Sequence, residues 1–181
     1  KHLSDHLCFQ AHGGNHHHDL LPFPLNQATL ENVSERVKAV QDFFGEEILI
    51  ENLSYYLEFE ESKMSESEFL KELSKKTSCF YLLDLNNIWV NSKNLNISID
   101  DFLKDIDWSN VREVHLAGAE KFEKFYVDTH GSPIHPEVLN LVRKHRKSLI
   151  NIPLIYERDR NLKGLTGMLS QIDLVKEALY G

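Results

Sequence analysis

The sequence has little cysteine and no long apolar run, and each shortage excludes a class of protein. Its two cysteines, Cys8 and Cys79, cannot form the disulfide framework of a small secreted domain, so a reducing cytoplasm is the expected compartment. No apolar stretch is long enough to span a bilayer, and no signal-peptide pattern opens the chain. A membrane protein and a disulfide scaffold are therefore both disfavoured.

Basic residues are also in short supply. The chain has 20 lysines and arginines against 28 acidic residues, which gives a formal net charge of −8. Binding to nucleic acid requires a basic face, so nucleic acid is not an expected partner. The chain has 181 residues, 41% hydrophobic and 27% charged, and this composition is typical of one ordinary soluble domain with a substantial core.

Predicted strands and helices alternate along the chain. Short apolar runs predict strands at residues 2–9, 47–50, 80–83, 111–116 and 152–156. Helical spacing and start signals predict helices at residues 29–44, 65–73, 98–106 and 166–179, and a further helix that begins at Pro136. Residues 12–24 are expected to form a polar loop. This alternation predicts an α/β protein with a parallel sheet.

A polar side chain that could bind a metal lies near or just after the end of each predicted strand. These residues are separated by 31 to 45 positions, a spacing that suits the βα units of a parallel barrel, and they are His6, Glu51, Asp84, His115 and Glu157. Active sites of such barrels lie at the C-terminal ends of the strands. A complete barrel has eight strands, so the sequence predicts a (β/α)8 barrel represented by about its last five units. The chain also begins at Lys1 without a methionine, and we expect an N-terminal portion to be missing from the single barrel domain at residues 1–181.

Asp128 and His130 add two more candidate ligands. They are two residues apart in V-D-T-H-G, and an extended segment would direct both side chains to the same side. The full set then contains three imidazoles, four carboxylates and no thiolate, which favours iron, manganese or zinc. Four carboxylates at one place would repel one another strongly, so more than one metal ion is expected.

Each candidate also has a plainer interpretation. An acidic residue after a strand often caps the following helix or pairs with an arginine. Four residues could hydrogen-bond to metal ligands and so orient them: Asn52, Asn86, Asn87 and Arg158. The three asparagines could instead only cap loops. The run His16-His17-His18 is expected to be a solvated loop, because adjacent histidines point in different directions. Cys8 and Cys79 are expected to be small buried residues, and Trp89 and Trp108 to be core or lid residues.

Seven segments of the chain resemble a known family. In chain order they are S-D-H-L-C-F (4–9), N-H-H-H-D-L-L-P-F-P (15–24), E-N-L-S-Y-Y-L (51–57), L-L-D-L-N-N-I-W-V-N-S (82–92), V-H-L-A-G (114–118), V-D-T-H-G (127–131) and L-I-Y-E-R-D (154–159). Together they resemble the multinuclear non-heme iron-dependent oxidases, a family that includes the iron subunit of the methanobactin-making enzyme.

The resemblance implies a TIM barrel of the xylose-isomerase type that binds two or three iron ions and uses dioxygen to oxidise cysteine in a ribosomally made peptide. It implies that the iron ligands are the same seven residues, His6, Glu51, Asp84, His115, Asp128, His130 and Glu157. It also implies a cysteine-containing precursor peptide as substrate and a possible companion protein that presents the peptide.

Two other functions are compatible with the residues. A sugar isomerase or a three-metal phosphodiesterase could use a similar barrel, although either would be expected to have basic residues at the site, and Arg158 is the clearest one here. A truncated, inactive metal-binding remnant is the non-catalytic alternative.

Overall fold

A computed structural model describes residues 2–181. The strands in chain order are β1 (Ser4–His6), β2 (Phe9–His12), β3 (Asn15–Leu21), β4 (Leu49–Glu51), β5 (Phe80–Asp84), β6 (Val111–Leu116), β7 (Glu120–Phe122), β8 (Phe125–Val127) and β9 (Leu154–Tyr156). The helices are α1 (Gln27–Phe44), α2 (Glu66–Thr77), α3 (Leu85–Leu95), α4 (Ile99–Asp105), α5 (Pro136–Leu149) and α6 (Gly164–Tyr180), and a short 3-10 turn covers Trp108–Asn110.

The chain divides into two compact units. The first contains the residues up to Leu82 together with Ser98–Arg112, and the second contains Leu83–Ile97 and Glu113–Gly181. The points at which the chain passes from one unit to the other lie within β5, between α3 and α4, and within β6.

Parallel pairing organises the strands of the first unit. β1 pairs with β4 so that His6 lies opposite Glu51, and β4 pairs with β5 so that Glu51 lies opposite Leu82. Buried residues of α1 and α2 form the core, with Leu30 and Phe69 almost completely enclosed. A capping box at Ser65 starts α2 as the sequence predicts, because Ser65 and Glu68 exchange hydrogen bonds with each other's backbone N–H groups.

Parallel pairing also organises the second unit. β6 pairs with β9, and Leu116 lies opposite Tyr156. Helix α3 is buried along most of its length, and the indole of Trp89 stacks on His135 with 4.3 Å between the ring centroids. Trp89 is thus a core residue, one of the two roles expected for it. The parallel strands with intervening helices confirm the predicted α/β class.

Three elements differ from the sequence-based expectation. The segment expected to be a polar loop forms an antiparallel hairpin of β2 and β3, in which Ala11 pairs with His16. Helix α3 was not predicted, because its apolar residues are interrupted by asparagines that are themselves buried. The hairpin of β7 and β8 was not predicted either, since its strands have only three residues each.

Gly118 is required by a close approach in the second unit. A Cβ atom at this position would collide with the backbone oxygens of Ser132 and Pro133. The absence of a side chain therefore lets the segment after β6 pack directly on the segment that follows His130.

Candidate metal centre

The second unit brings together side chains from three separate segments of the chain. Asp84 ends β5, His130 follows β8, and Glu157 follows β9. Each offers one carboxylate oxygen or imidazole nitrogen, and these three atoms all lie within 4.8 Å of one another. A cluster of this kind could hold a metal ion.

Asp84 has two roles. It is fully buried, and its Oδ1 caps helix α3 by accepting a hydrogen bond from the backbone N–H of Asn87 at 2.7 Å. The plainer interpretation of this residue, a helix cap, is therefore correct. A carboxylate has two oxygens, so capping and metal binding are compatible in the same residue.

His115 lies between two carboxylates. Its Nε2 is 3.1 Å from Oε1 of Glu113, and its Nδ1 is 3.4 Å from Oε2 of Glu157. The register of β6 against β9 places Glu157 beside it, and the N–H of Glu157 donates to the carbonyl of Leu116. Sequence reasoning missed Glu113, although its position two residues before His115 on one strand was a usable signal.

His130 is held by a turn. Its φ of 49° is in the left-handed region, and its carbonyl accepts hydrogen bonds from the N–H groups of Asp159 and Arg160. The extended conformation considered for residues 128–130 is therefore not the one observed. The side chains of Asp128 and His130 nevertheless meet, with Oδ1 3.1 Å from Nε2.

The charges around His130 control its protonation. Burial by itself would lower the pKa of His130, but the hydrogen bond and charge of Asp128, with the charges of Asp84 and Glu157, raise the pKa to about 9. On the other side of the ring, Nδ1 is 3.7 Å from Oε2 of Glu157 and 3.4 Å from Oδ2 of Asp159. The carboxylates around His130 therefore favour a positive charge at this place, and a divalent metal ion can supply that charge instead of the proton.

The distances are close to those of a transition-metal site. Two ligand atoms bound to one ion at about 2.1 Å lie roughly 3.0–3.6 Å apart for angles between 90° and 120°. Oε2 of Glu157 is 3.4 Å from the Nδ1 atom of His115 and 3.7 Å from that of His130. Imidazole and carboxylate donors without a thiolate are suited to iron, manganese or zinc.

The other two predicted ligands lie in the first unit. Nε2 of His6 is 3.2 Å from Oε2 of Glu51, as the parallel register of β1 and β4 requires. Glu51 is buried, whereas His6 is exposed. The loop after Glu51 is fixed by Glu66, whose Oε1 accepts a hydrogen bond from the N–H of Leu53 at 3.0 Å.

The residues expected to orient ligands have different surroundings. Asn52, Asn86 and Asn87 are all buried. The side chain of Arg158 donates to the carbonyls of Arg160 and Asn161, so it stabilises its own loop.

The remaining candidates follow the plainer interpretations in part: Cys79 is buried as expected, whereas Cys8 is only half-buried, and the three histidines lie on a strand rather than a loop. The three consecutive histidines, His16 to His18, are exposed on β3, and neither group of possible metal ligands found among residues 2–181 includes them. Burial and the charge of Asp5 raise the pKa of Cys8 to about 11, and burial raises the pKa of Cys79. Neither thiol is activated as a nucleophile.

The fold and the cluster define the class of this protein. It is an α/β protein with parallel strands, and two of its clustered candidate metal ligands, Asp84 and Glu157, lie at or just after the C-terminal ends of such strands. None of the helices formed by the described residues is both long enough and apolar enough to cross a membrane.

Comparison with known proteins identifies the family. The family described as "RiPP precursor modification enzyme MbnB/TglH/ChrH" matches residues 1–180, where RiPP denotes a ribosomally synthesised and post-translationally modified peptide. The chain belongs to this family, which confirms the resemblance seen in the sequence.

Relatives with curated sequences carry the name UPF0276 protein. One from Acaryochloris marina is 35% identical over 170 residues, covering 94% of this chain and 62% of the relative. One from Chromobacterium violaceum is 36% identical over 179 residues, covering 99% of this chain and 65% of the relative. A third, from Vibrio parahaemolyticus, is 41% identical over 143 residues, covering 77% of this chain and half of the relative. The chain thus spans less than two thirds of the length of each of these relatives.

A solved structure supports the fold. The crystal structure of a xylose isomerase domain containing protein from Salmonella typhimurium LT2 matches with a TM-score of 0.53 and 19% identity, and covers 90% of this chain and 63% of that protein. At this identity the likeness concerns the fold alone. It is consistent with the predicted TIM-barrel type.

Proposed function

We propose that the protein is an iron- and dioxygen-dependent oxidase that modifies cysteine residues of a ribosomally made peptide. The observation that carries the proposal is Oε2 of Glu157, which lies within 3.7 Å of the Nδ1 atoms of both His115 and His130. This arrangement occurs in a member of a family of RiPP-modifying enzymes. The substrate is then a cysteine-containing precursor peptide, and a companion protein that presents the peptide is part of the proposal.

The proposed ligands are the seven residues identified from the sequence. Asp84, His130 and Glu157 form a group in the second unit, and His115 adds a fourth donor beside Glu157. His6 and Glu51 supply a pair of donors in the first unit. Three imidazoles and four carboxylates exceed what one ion needs, so we propose that two or three irons are bound.

Hydrogen bonds determine which imidazole nitrogen can serve as a ligand. When Nε2–H of His130 donates to Oδ1 of Asp128, Nδ1 carries the lone pair and faces Glu157. Glu113 can fix His115 in the same way through Nε2. Carboxylates in this position orient a metal-binding histidine and make it more basic. Asp128 therefore suits either direct binding or this orienting role.

Bound iron would supply the electron transfer to dioxygen that amino-acid side chains do not provide. The chain's own residues hold the ion and supply the negative charge that favours it. The cysteine would be oxidised and dioxygen would be the electron acceptor.

The proposal is tested on the full natural protein, purified anaerobically without added metal. We expect two or more irons per chain, together with dioxygen consumption that depends on a cysteine-containing precursor peptide. The matched control is the same peptide with serine in place of cysteine, which should give no consumption above background. Zinc or manganese alone, with no peptide-dependent dioxygen uptake, would contradict the proposal and favour an isomerase or a phosphodiesterase.

A further inference from the structure

Asn86 lies in the first turn of α3 and touches the candidate metal centre from the side of the helix. Its side chain is fully buried, and its Nδ2 donates a hydrogen bond to Oδ1 of Asp128 at 2.7 Å. The same oxygen is 3.1 Å from Nε2 of His130. Asp128 is thus held by two donors, one from a helix and one from a candidate ligand.

The other half of the Asn86 amide has no comparable contact. Its Oδ1 is buried and accepts no hydrogen bond from any residue within the described part of the chain. A buried acceptor without a donor costs about 1–3 kcal/mol, so an asparagine here is a poor choice for packing alone. The N–H group that it directs at Asp128 is the contact that distinguishes it from an apolar residue of the same size.

Helix α3 holds Asn86 in a fixed position relative to Asp128. The same helix carries Asp84 as its N-cap, and near its other end Asn94 makes two hydrogen bonds with the backbone of Tyr126, at 2.8 and 2.9 Å. Helix α3 therefore forms hydrogen bonds with the segment that leads into Asp128 at two places, through Asn86 and through Asn94. Asn94 holds only the backbone, whereas Asn86 holds the carboxylate.

We propose that Asn86 is a positioning residue of the metal centre, and the proposal rests on the proposed function. Its amide N–H fixes the orientation of the Asp128 carboxylate. Asp128 in turn holds His130, whose Nδ1 faces Glu157. Loss of the Asn86 contact should weaken metal binding even where the fold is unaffected.

The test compares Asn86→Leu with Asn94→Ala in the full natural protein. Iron(II) affinity is measured anaerobically by competition with a chromophoric chelator, and thermal stability is measured on the metal-free protein. Residues that support metal ligands in this way are typically worth about 10–100-fold in affinity, and we expect a loss in that range for Asn86→Leu. Its melting temperature should change little, because the leucine removes the unsatisfied buried oxygen as well as the hydrogen bond to Asp128.

Asn94→Ala is the matched control. It removes two hydrogen bonds from the same helix to the same segment, so we expect a lower melting temperature and an iron affinity within about threefold of the wild type, since Asp128 keeps both of its donors. An equal loss of affinity in the two variants, or an unchanged affinity in Asn86→Leu, would overturn the proposal.

A double-mutant cycle shows whether Asn86 acts through Asp128. In an Asp128→Asn background, Asn86→Leu should cause little further loss of iron affinity, whereas two independent effects would add. Failure of the wild type to bind iron would instead overturn the proposed function. The two proposals therefore fail by different results.

Discussion

Glu157→Gln is the substitution for which the structure gives the most definite expectation. The carboxylate lies 3.4 Å from Nδ1 of His115 and 3.7 Å from Nδ1 of His130. With an effective dielectric constant near 20, one unit charge at either distance interacts with the carboxylate by about 4.5–5 kcal/mol. The side chain is 32% exposed, so solvent screening reduces this figure to roughly 2 kcal/mol.

That energy converts into a measurable loss of affinity. About 2 kcal/mol corresponds to roughly a 30-fold change in a binding constant, and a divalent ion carries twice the charge used in the calculation. We therefore expect Glu157→Gln to weaken iron(II) binding by at least about 30-fold. The assay is anaerobic competition with a chromophoric chelator, with far-ultraviolet circular dichroism to verify that the variant is folded.

Asp159→Asn is the matched control for this substitution. Oδ2 of Asp159 is 3.4 Å from the same Nδ1 of His130, but the side chain is 73% exposed. An exposed ion pair is worth about 0.2–1 kcal/mol, so the affinity should fall no more than about fivefold. An unchanged affinity in Glu157→Gln, or an equal loss in the two variants, would refute the assignment of Glu157 as the shared ligand.

Three further substitutions test other parts of the structure. Asp84→Ala should lower the iron content, measured by elemental analysis, and should also destabilise the fold by about 1 kcal/mol because the helix cap is lost. Asp84→Ser should keep the cap and lose only iron. If iron content is unchanged in both variants, Asp84 is not a ligand. Gly118→Ala forces a Cβ atom against the backbone of Ser132 and should destabilise the protein by about 1–3 kcal/mol in urea denaturation, so an unchanged midpoint would contradict the observed packing. Burial raises the pKa of Glu66 from 4.5 to about 8, and the hydrogen bond from the N–H of Leu53 offsets only part of this rise. The contribution of Glu66 to stability is therefore greatest below pH 4.5 and is lost as the pH rises to 8. Glu66→Gln should remove a loss on the order of 4 kcal/mol between pH 5 and pH 9 in chelator-treated protein. A pH dependence equal to that of the wild type would show that Glu66 is not buried in this way.

The sequence was sufficient to predict the main strands and the residues at their ends. Apolar runs located β4, β5 and β6, because strands that are largely buried must be apolar along most of their length. The segments predicted at residues 2–9 and 152–156 also contain strands, although β1 is exposed and β9 is only partly buried. Helices α1, α2, α4, α5 and α6 were also located from spacing and start signals. Parallel strands end at the same edge of a sheet, so residues that follow them could be expected to meet, and in the second unit Asp84 and Glu157 do so. His130 joins them from the loop after β8, a strand of an antiparallel hairpin.

Other features depend on contacts that no local pattern encodes. Its asparagines make helix α3 look polar in the sequence, although several of them are buried. Asn86 bonds to Asp128 and Asn94 bonds to the backbone of Tyr126, and only the folded chain brings these partners close. The left-handed turn at His130 follows from hydrogen bonds with residues 159 and 160, about thirty positions away. Asp159 is an ordinary acidic residue in the sequence and becomes a neighbour of His130 only through the course of the loop after β9.

The sequence by itself thus determined which side chains are available for metal chemistry and on which strands they lie, because hydrophobic periodicity and residue type are local properties. The tertiary structure decided which nitrogen of each imidazole faces which carboxylate, and that Asn86 holds Asp128. Those relations join residues far apart in the chain, and their distances are set by strand register and helix packing rather than by any one segment.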